Sequence, residues 1–185
     1  ISGVTSFLRT EILNRNGDPE RETLNVIPAV DGKSYYKDSE GDYWRAYKFI
    51  TDATSYDQVE KPEDFYQSAV AFGNFQRLLA DYPARTLHET IKGFHDTKAR
   101  FEVFKKAVEE DVMGRAASVK KEIQFVLDRE DVADYLCDLL ANGEIPLRVT
   151  HNDTKLNNIM IDNKTGKGIC VIDLDTVMPG LAVHD

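Results

Sequence analysis

Residues 148–162 read RVTHNDTKLNNIMID, and residues 168–175 read GICVIDLD. The alternation predicts a short strand before His151, followed by a hairpin of two apolar strands whose second strand ends at Asp173. The turn of this hairpin is rich in Asp, Asn, Thr and Gly, which are the residues that favour tight turns. The stretch therefore predicts a polar loop followed by a hairpin that delivers an acidic side chain.

The loop carries the pattern H-x-D-x-x-x-x-N at His151, Asp153 and Asn158. Phosphoryl transfer by kinases needs a carboxylate that accepts the hydroxyl proton of the acceptor, and oxygen ligands for the magnesium ions on the nucleotide phosphates. We therefore predict Asp153 as the catalytic base, and Asn158 and Asp173 as Mg²⁺ ligands. Lys155 is the candidate for the γ-phosphate, although a surface lysine fits this position equally well.

Two more side chains of this segment have predicted roles. His151 is expected to be structural, with its ring hydrogen-bonded to the backbone so that it holds the loop. Asp175 is placed with the metal ligands, and substrate binding or bracing of the loop are open alternatives. The simplest competing interpretation of the whole segment is a hairpin with solvated Asp and Asn side chains.

The runs RVTHNDTKLNNIMID and GICVIDLDTVMPGL resemble the aminoglycoside-phosphotransferase-like kinases. Within that family the chain looks most like the N-acetylhexosamine 1-kinases, some of whose relatives are labelled mucin-desulfating. The stretches GDYWRAYKFITDATSYD, AFGNFQRLLADYP and LHETIKGFHDTKARF look like the same subfamily. The resemblance therefore covers most of the chain.

This resemblance implies an α+β, protein-kinase-like two-lobed fold that is incomplete. Residues 1–50 would be the remainder of the nucleotide-binding lobe, and residues 51–185 a partial, mainly helical second lobe with the catalytic hairpins. Backbone groups of Lys48, Phe49 and Ile50 would form the hinge that binds adenine, although an ordinary strand end fits them as well. ATP and Mg²⁺ are the implied cofactors, and the anomeric hydroxyl of GlcNAc or GalNAc is the implied acceptor.

Periodicity predicts the remaining elements. A helix is expected over residues 2–15, and a β-meander over residues 23–50 with a hairpin turn at Asp31-Gly32. A core helix should begin at Pro62, with Phe65, Ala69, Phe72, Phe75, Leu78 and Leu79 on its apolar stripe. Residues 95–129 are expected to form one helix or two with a break near Gly114, and residues 130–141 a further helix.

Bulk properties limit the classes of partner. The chain has 185 residues and a net charge of −9, which disfavours nucleic acids and anionic membranes as partners. Cys137 and Cys170 are expected to be buried free thiols, and no apolar run is long enough to span a bilayer. We therefore expect a cytoplasmic protein with a small-molecule substrate.

Both ends of the sequence look cut, and neither a Gly-rich phosphate loop nor a strand lysine paired to a helix glutamate is recognisable. The chain is therefore expected to be the middle of a longer enzyme and inactive by itself.

Two rival functions remain open. Residues 169–177 also match the D-x-D-x-T strand of haloacid-dehalogenase-type phosphatases, in which Asp173 would be the nucleophile and Asp175 the acid/base. Only ten residues follow Asp175, whereas that fold needs a long chain after the motif. The second rival is a non-catalytic kinase-like module that binds a nucleotide or a protein.

Overall fold

The computed structural model describes residues 1–185. The helices are α1 (Ser2–Asn14), α2 (Pro19–Glu22), α3 (Pro62–Leu78), α4 (Thr97–Glu110), α5 (Lys120–Leu127) and α6 (Glu130–Ala141). The strands are β1 (Val26–Ile27), β2 (Tyr36–Lys37), β3 (Tyr43–Trp44), β4 (Ala46–Tyr47), β5 (Ala53–Thr54), β6 (Arg148–Thr150), β7 (Ile159–Asp162), β8 (Gly168–Val171) and β9 (Met178–Gly180). This combination of helices and small sheets confirms the α+β prediction.

The chain separates into two compact units, residues 1–90 with 148–185, and residues 91–147. The predicted lobe boundary near residue 51 falls inside the first unit. These compact units do not test where the lobes of a kinase-like fold divide. The division into lobes at residues 1–50 and 51–185 therefore stays a prediction.

Helix α3 is the central packing element of the first unit. It begins as predicted at Pro62, where the backbone amide of Lys61 donates a hydrogen bond to the carboxylate of Asp64 over 3.2 Å. Its buried stripe contains Phe72, Phe75 and Leu78, as expected. Phe65 and Ala69 were wrongly placed on that stripe, because the buried face starts at Asp64 and continues through Ser68, which leaves both residues exposed.

The predicted hairpin is confirmed as β7 and β8, which pair antiparallel, and β5 pairs with the other edge of β7. Helix α3 lies against β8 so closely that a Cβ at Gly168 would stand 2.7 Å from the carbonyl oxygen of Gln67. Strand β6, also predicted, pairs with β9. The polar loop thus leaves β6 and enters the hairpin from a fixed frame.

The predicted β-meander over residues 23–50 is correct in the pairing of its second and third strands and wrong in the pairing of its first strand. Strand β1 pairs with β4, and β2 pairs with β3, so the first strand does not meet its neighbour in sequence. The expected turn exists, since the amide of Gly32 donates to the carbonyl of Ala29 and Gly32 has φ +81°. Pro28 lacks an amide hydrogen, and it follows β1 directly, so the ladder stops before the turn is reached.

The second unit is helical. Its predicted break is confirmed, because α4 ends at Glu110 and α5 begins after Gly114, where φ is +63°. Phe101 is the buried residue of α4. Cys137 on α6 is only half-buried, which corrects the expectation of a buried thiol, whereas Cys170 in β8 is buried as expected. None of the chain's helices is long and apolar enough to cross a bilayer.

Candidate active site

His151 holds the loop between β6 and β7 from beneath. It is fully buried, and its ring lies edge-on to Phe72 and Phe75 of α3, with centroids 5.2 and 5.9 Å away. The amide of Asp153 donates to Nδ1 over 3.3 Å, so Nε2 carries the proton and donates to the carbonyl of Ile172 over 2.9 Å. The ring therefore binds backbone on both sides, as the sequence predicted, and positions Asp153 next to the segment that follows β8 and leads to Asp173.

Asp153, Lys155 and Asn158 form one cluster. The ammonium of Lys155 lies 2.9 Å from Oδ2 of Asp153, and Nδ2 of Asn158 donates to the same oxygen over 3.0 Å. Nδ2 also donates to the carbonyl of Asp153 over 2.8 Å, which closes the loop upon itself. The structure therefore brings together three of the predicted site residues.

These contacts set the charge of the cluster. The hydrogen bond from Lys155 is the largest effect and lowers the pKa of the Asp153 carboxyl below its usual range. Burial opposes this shift, and the hydrogen bond from Asn158 lowers the pKa further. The same pair raises the pKa of Lys155. Asp153 is therefore an anion and Lys155 a cation at neutral pH, and about a third of the Asp153 side chain remains open to solvent.

Asp173 stands one residue after Ile172, whose amide donates to the carbonyl of Asn158 over 2.9 Å. Its backbone is left-handed, with φ +57°, a conformation that a non-glycine residue seldom adopts. Its exposed carboxylate takes part in no hydrogen bond or ion pair, although its charge contributes to the raised pKa of Lys155. Asp173 therefore belongs to the cluster electrostatically and keeps its oxygens available.

Asp175 does not join this cluster. Its carboxylate is paired with the guanidinium of Arg45, which also lies over the ring of Tyr47 at 5.7 Å. Burial raises the pKa of the Tyr47 phenol, Arg45 offsets part of that shift, and Asp175 and Asp173 add to it. Tyr47 thus lies within the electrostatic reach of both acids.

The predicted hinge residues lie at the end of β4. The amide of Lys48 donates to the carbonyl of Asn25 over 2.9 Å, and its ammonium pairs with Glu20 at 2.7 Å. Ile50 is buried in the core, and Phe49 is largely exposed. The backbone N–H and C=O groups of Phe49 and Ile50 make no hydrogen bond within the chain. No direct bond joins these residues to the Asp153 cluster.

Two functional contacts escaped the sequence. The carboxylate of Asp185 accepts hydrogen bonds from the amides of His151 and Asn152, both over 2.7 Å, and so holds the left-handed turn at Asn152. Arg45 reaches Asp175 across 130 positions. No local spacing indicates either contact, and the left-handed preference of Asn at position 152 is the one signal that the sequence offered.

Comparison with known proteins gives the family. The model of the phosphotransferase enzyme family APH matches residues 21–185. The chain belongs to this family. The matched region contains the whole of the Asp153 cluster, Asp173 and the predicted hinge residues. The predicted family and kinase-like fold are therefore confirmed, whereas the closer resemblance to N-acetylhexosamine 1-kinases stays a prediction.

Among solved structures, the chain is similar to spectinomycin phosphotransferase in complex with ADP and spectinomycin. The two share 14% sequence identity with a TM-score of 0.49, over 97% of this chain and 56% of the other. The chain thus spans little more than half the length of that enzyme.

Proposed function

We propose that this chain carries the catalytic loop of an ATP- and Mg²⁺-dependent kinase that phosphorylates a hydroxyl group of a small molecule. The observation that carries the proposal is the cluster of Asp153, Lys155 and Asn158 with Asp173 beside it, in a chain of a phosphotransferase family. Phosphoryl transfer requires a carboxylate that accepts the substrate's hydroxyl proton, a cation for the phosphate and oxygen ligands for magnesium, all in one place.

Asp153 orients the acceptor hydroxyl and takes its proton. Its lowered pKa makes it a weak base, which suits a loose transition state in which the proton leaves late and positioning provides most of the rate. Lys155 neutralises Asp153 in the free protein, and its exposed ammonium is available to the γ-phosphate. His151 and Asp185 keep the loop in the shape that this chemistry needs.

The residues present fit a magnesium ion. Asn158 turns its amide nitrogen toward Asp153, so its amide oxygen is left for another partner, and the Asp173 carboxylate is unengaged. The chain contains no group of three or more His, Cys, Asp or Glu that would hold a metal by itself. Two hard oxygen donors suit Mg²⁺, which keeps several waters and shares nucleotide phosphates as ligands. Bound there, the ion would neutralise charge on the transferring phosphoryl group.

Adenine recognition is proposed for the segment after β4. The backbone N–H and C=O groups of Phe49 and Ile50 make no hydrogen bond within the chain, so they are free to bind a ligand. An adenine edge offers one donor and one acceptor to such a segment. The amide of Lys48 is already used by Asn25, so its contribution would be limited to its carbonyl oxygen.

The acceptor is proposed to be N-acetylglucosamine or N-acetylgalactosamine, phosphorylated at the anomeric hydroxyl, on the subfamily resemblance alone. The phosphatase alternative is disfavoured by the family match and by Arg45. The carboxylate of Asp175 is engaged by the guanidinium of Arg45 and is therefore not free to contact a leaving group or a water molecule as an acid/base.

The test is ADP release by the full-length gene product with ATP and Mg²⁺, against GlcNAc, GalNAc, choline, homoserine and an aminoglycoside. Turnover of an N-acetylhexosamine that collapses in Asp153→Asn is the expected result. Turnover of another acceptor alone would support the proposed kinase activity and refute N-acetylhexosamine as the substrate. Binding of ATP without turnover of any acceptor would favour the non-catalytic module.

A further inference from the structure

The two acids of the Asp173-Leu174-Asp175 run serve different partners. Residues 174–176 form a single 3-10 turn. Asp173 precedes this turn with a left-handed backbone (φ +57°), so its side chain does not follow the helical spacing of Asp175. The carboxylate of Asp173 takes part in no hydrogen bond or ion pair, whereas the carboxylate of Asp175 is paired with Arg45.

Asp175 and Arg45 also line the same cavity, of about 510 Å³. Tyr35, Tyr43 and His88 contribute to its wall, and none of Asp153, Lys155 or Asn158 does. Asp175 and its partner Arg45 therefore share a cavity to which the side chains of the Asp153 cluster do not contribute.

Arg45 is itself held in place. It lies between β3 and β4, about a third of its side chain is exposed, and its guanidinium rests over Tyr47. From there it ties the strands that precede the predicted hinge to the segment that carries Asp173. The hydrogen bond from Arg45 to Asp175 joins these two parts of the first unit across 130 residues.

We propose that Arg45 and Asp175 are positioning residues that orient Asp173, and that Asp175 is not a metal ligand. The ion pair between Arg45 and Asp175 fixes the turn at 174–176, and this turn holds the carboxylate of Asp173, directly before it, toward the metal and Lys155. The inference rests on the proposed function. Asp175, the third predicted metal ligand, instead links the strands before the predicted hinge to the metal-binding segment.

The experiment measures Mn²⁺ binding in the presence of ADP by electron paramagnetic resonance, in the full-length gene product. Mn²⁺ accepts the same oxygen ligands as Mg²⁺. The variants are Asp173→Asn, Asp175→Asn, Arg45→Ala and the exchange Arg45→Asp with Asp175→Arg. Asp31→Asn with Lys33→Ala is the control, because it removes an exposed ion pair of the same region that touches neither acid.

Positioning predicts that Arg45→Ala and Asp175→Asn weaken Mn²⁺ binding by the same factor, about tenfold, as loss of an orienting partner does. Combining the two changes should add nothing, the exchange should restore much of the affinity, and the control should leave it unchanged. Thermal unfolding of each variant identifies any loss that is due to misfolding.

If Asp175 were a metal ligand, Arg45→Ala would have the opposite effect on the affinity for Mn²⁺. Arg45→Ala would free a ligand and leave Mn²⁺ binding unchanged or tighter, Asp175→Asn would match Asp173→Asn, and the exchange would not recover, which would overturn the inference. A wild-type protein that binds Mn²⁺·ADP but releases no ADP with any acceptor would refute the kinase alone. A wild-type protein that does not bind Mn²⁺ would overturn both proposals.

Discussion

At the scale of single residues, the lowered pKa of Asp153 has Lys155 as its main cause. Lys155 lies 2.9 Å away and is the largest cause of the lowered pKa of this carboxyl. A base that stays ionised in mild acid is ready to align a hydroxyl at any physiological pH. The low pKa therefore keeps Asp153 ionised for hydrogen bonding to the hydroxyl group and makes it a weaker base.

We predict that Lys155→Met raises the pKa of Asp153 toward the ordinary value of about 3.9. The reason is that the substitution keeps the length of the side chain and removes its charge and its hydrogen bond. The measurement is a pH titration of the Asp153 carboxyl ¹³C resonance. Lys164→Met, an exposed residue of the β7–β8 turn, is the matched control and should cause no change. An unchanged titration in Lys155→Met would contradict the assignment.

Cys170 gives a second prediction at this scale. Burial raises the pKa of its thiol to about 12, so the reactive thiolate is almost absent at neutral pH. In a Cys137→Ser background, iodoacetamide should modify Cys170 only when urea unfolds the chain. Mass spectrometry of the native protein measures the extent of modification. Rapid modification without urea would show that Cys170 is not buried in the folded protein.

At the scale of elements, the loop depends on the close approach of β9 to β6. A Cβ at Gly180 would stand 2.2 Å from Oγ1 of Thr150 and 3.3 Å from Oδ1 of Asn152. Thr150 and Asn152 are hydrogen-bonded to each other directly before Asp153. The pairing of β6 with β9 therefore constrains the shape of the loop that contains Asp153.

We predict that Gly180→Ala lowers the free energy of unfolding by about 1–3 kcal/mol, because it overpacks a filled site. Gly73→Ala in α3 is the matched control, since nothing lies within 4 Å of its added Cβ and alanine favours a helix. Urea denaturation compares the two variants. Equal stability of Gly180→Ala and the wild type would mean that β6 and β9 are not packed as described.

At the scale of the whole molecule, Arg21 joins distant parts of the first unit. Its guanidinium pairs with Asp162 at 2.9 Å and donates to the carbonyls of Thr51 and Asp52. Asp162 also accepts hydrogen bonds from the hydroxyl and amide of Thr165. The guanidinium of Arg21 on helix α2 therefore binds both residues 51–52 and the β7–β8 hairpin.

These partners, Thr165 first and then Arg21, lower the pKa of Asp162 to about 2. A group whose pKa is depressed by folding stabilises the protein above its unfolded pKa of about 3.9 and loses that contribution as the pH falls toward 2. We predict that Asp162→Asn is less stable than the wild type at pH 6, and that the difference shrinks between about pH 4 and 2. Urea unfolding across this range measures it, and a difference independent of pH would refute the linkage.

How much the sequence could predict depended on how local the signal was. The spacing of His151, Asp153 and Asn158 and the alternation of the hairpin lie within one stretch, and both were found. The pairing of β1 with β4 was missed, because it joins segments separated by two turns. Arg45 and Asp185 were missed as well, since each reaches its partner through the tertiary fold.

The role of Asp153 in phosphoryl transfer is tested most directly by single-turnover transfer from [γ-³²P]ATP, in the full-length gene product and its Asp153→Asn variant. The rate should fall by about 10²- to 10⁴-fold, which is the usual contribution of a general base, while ATP binding stays unchanged. Transfer at the wild-type rate in Asp153→Asn would contradict the proposed mechanism.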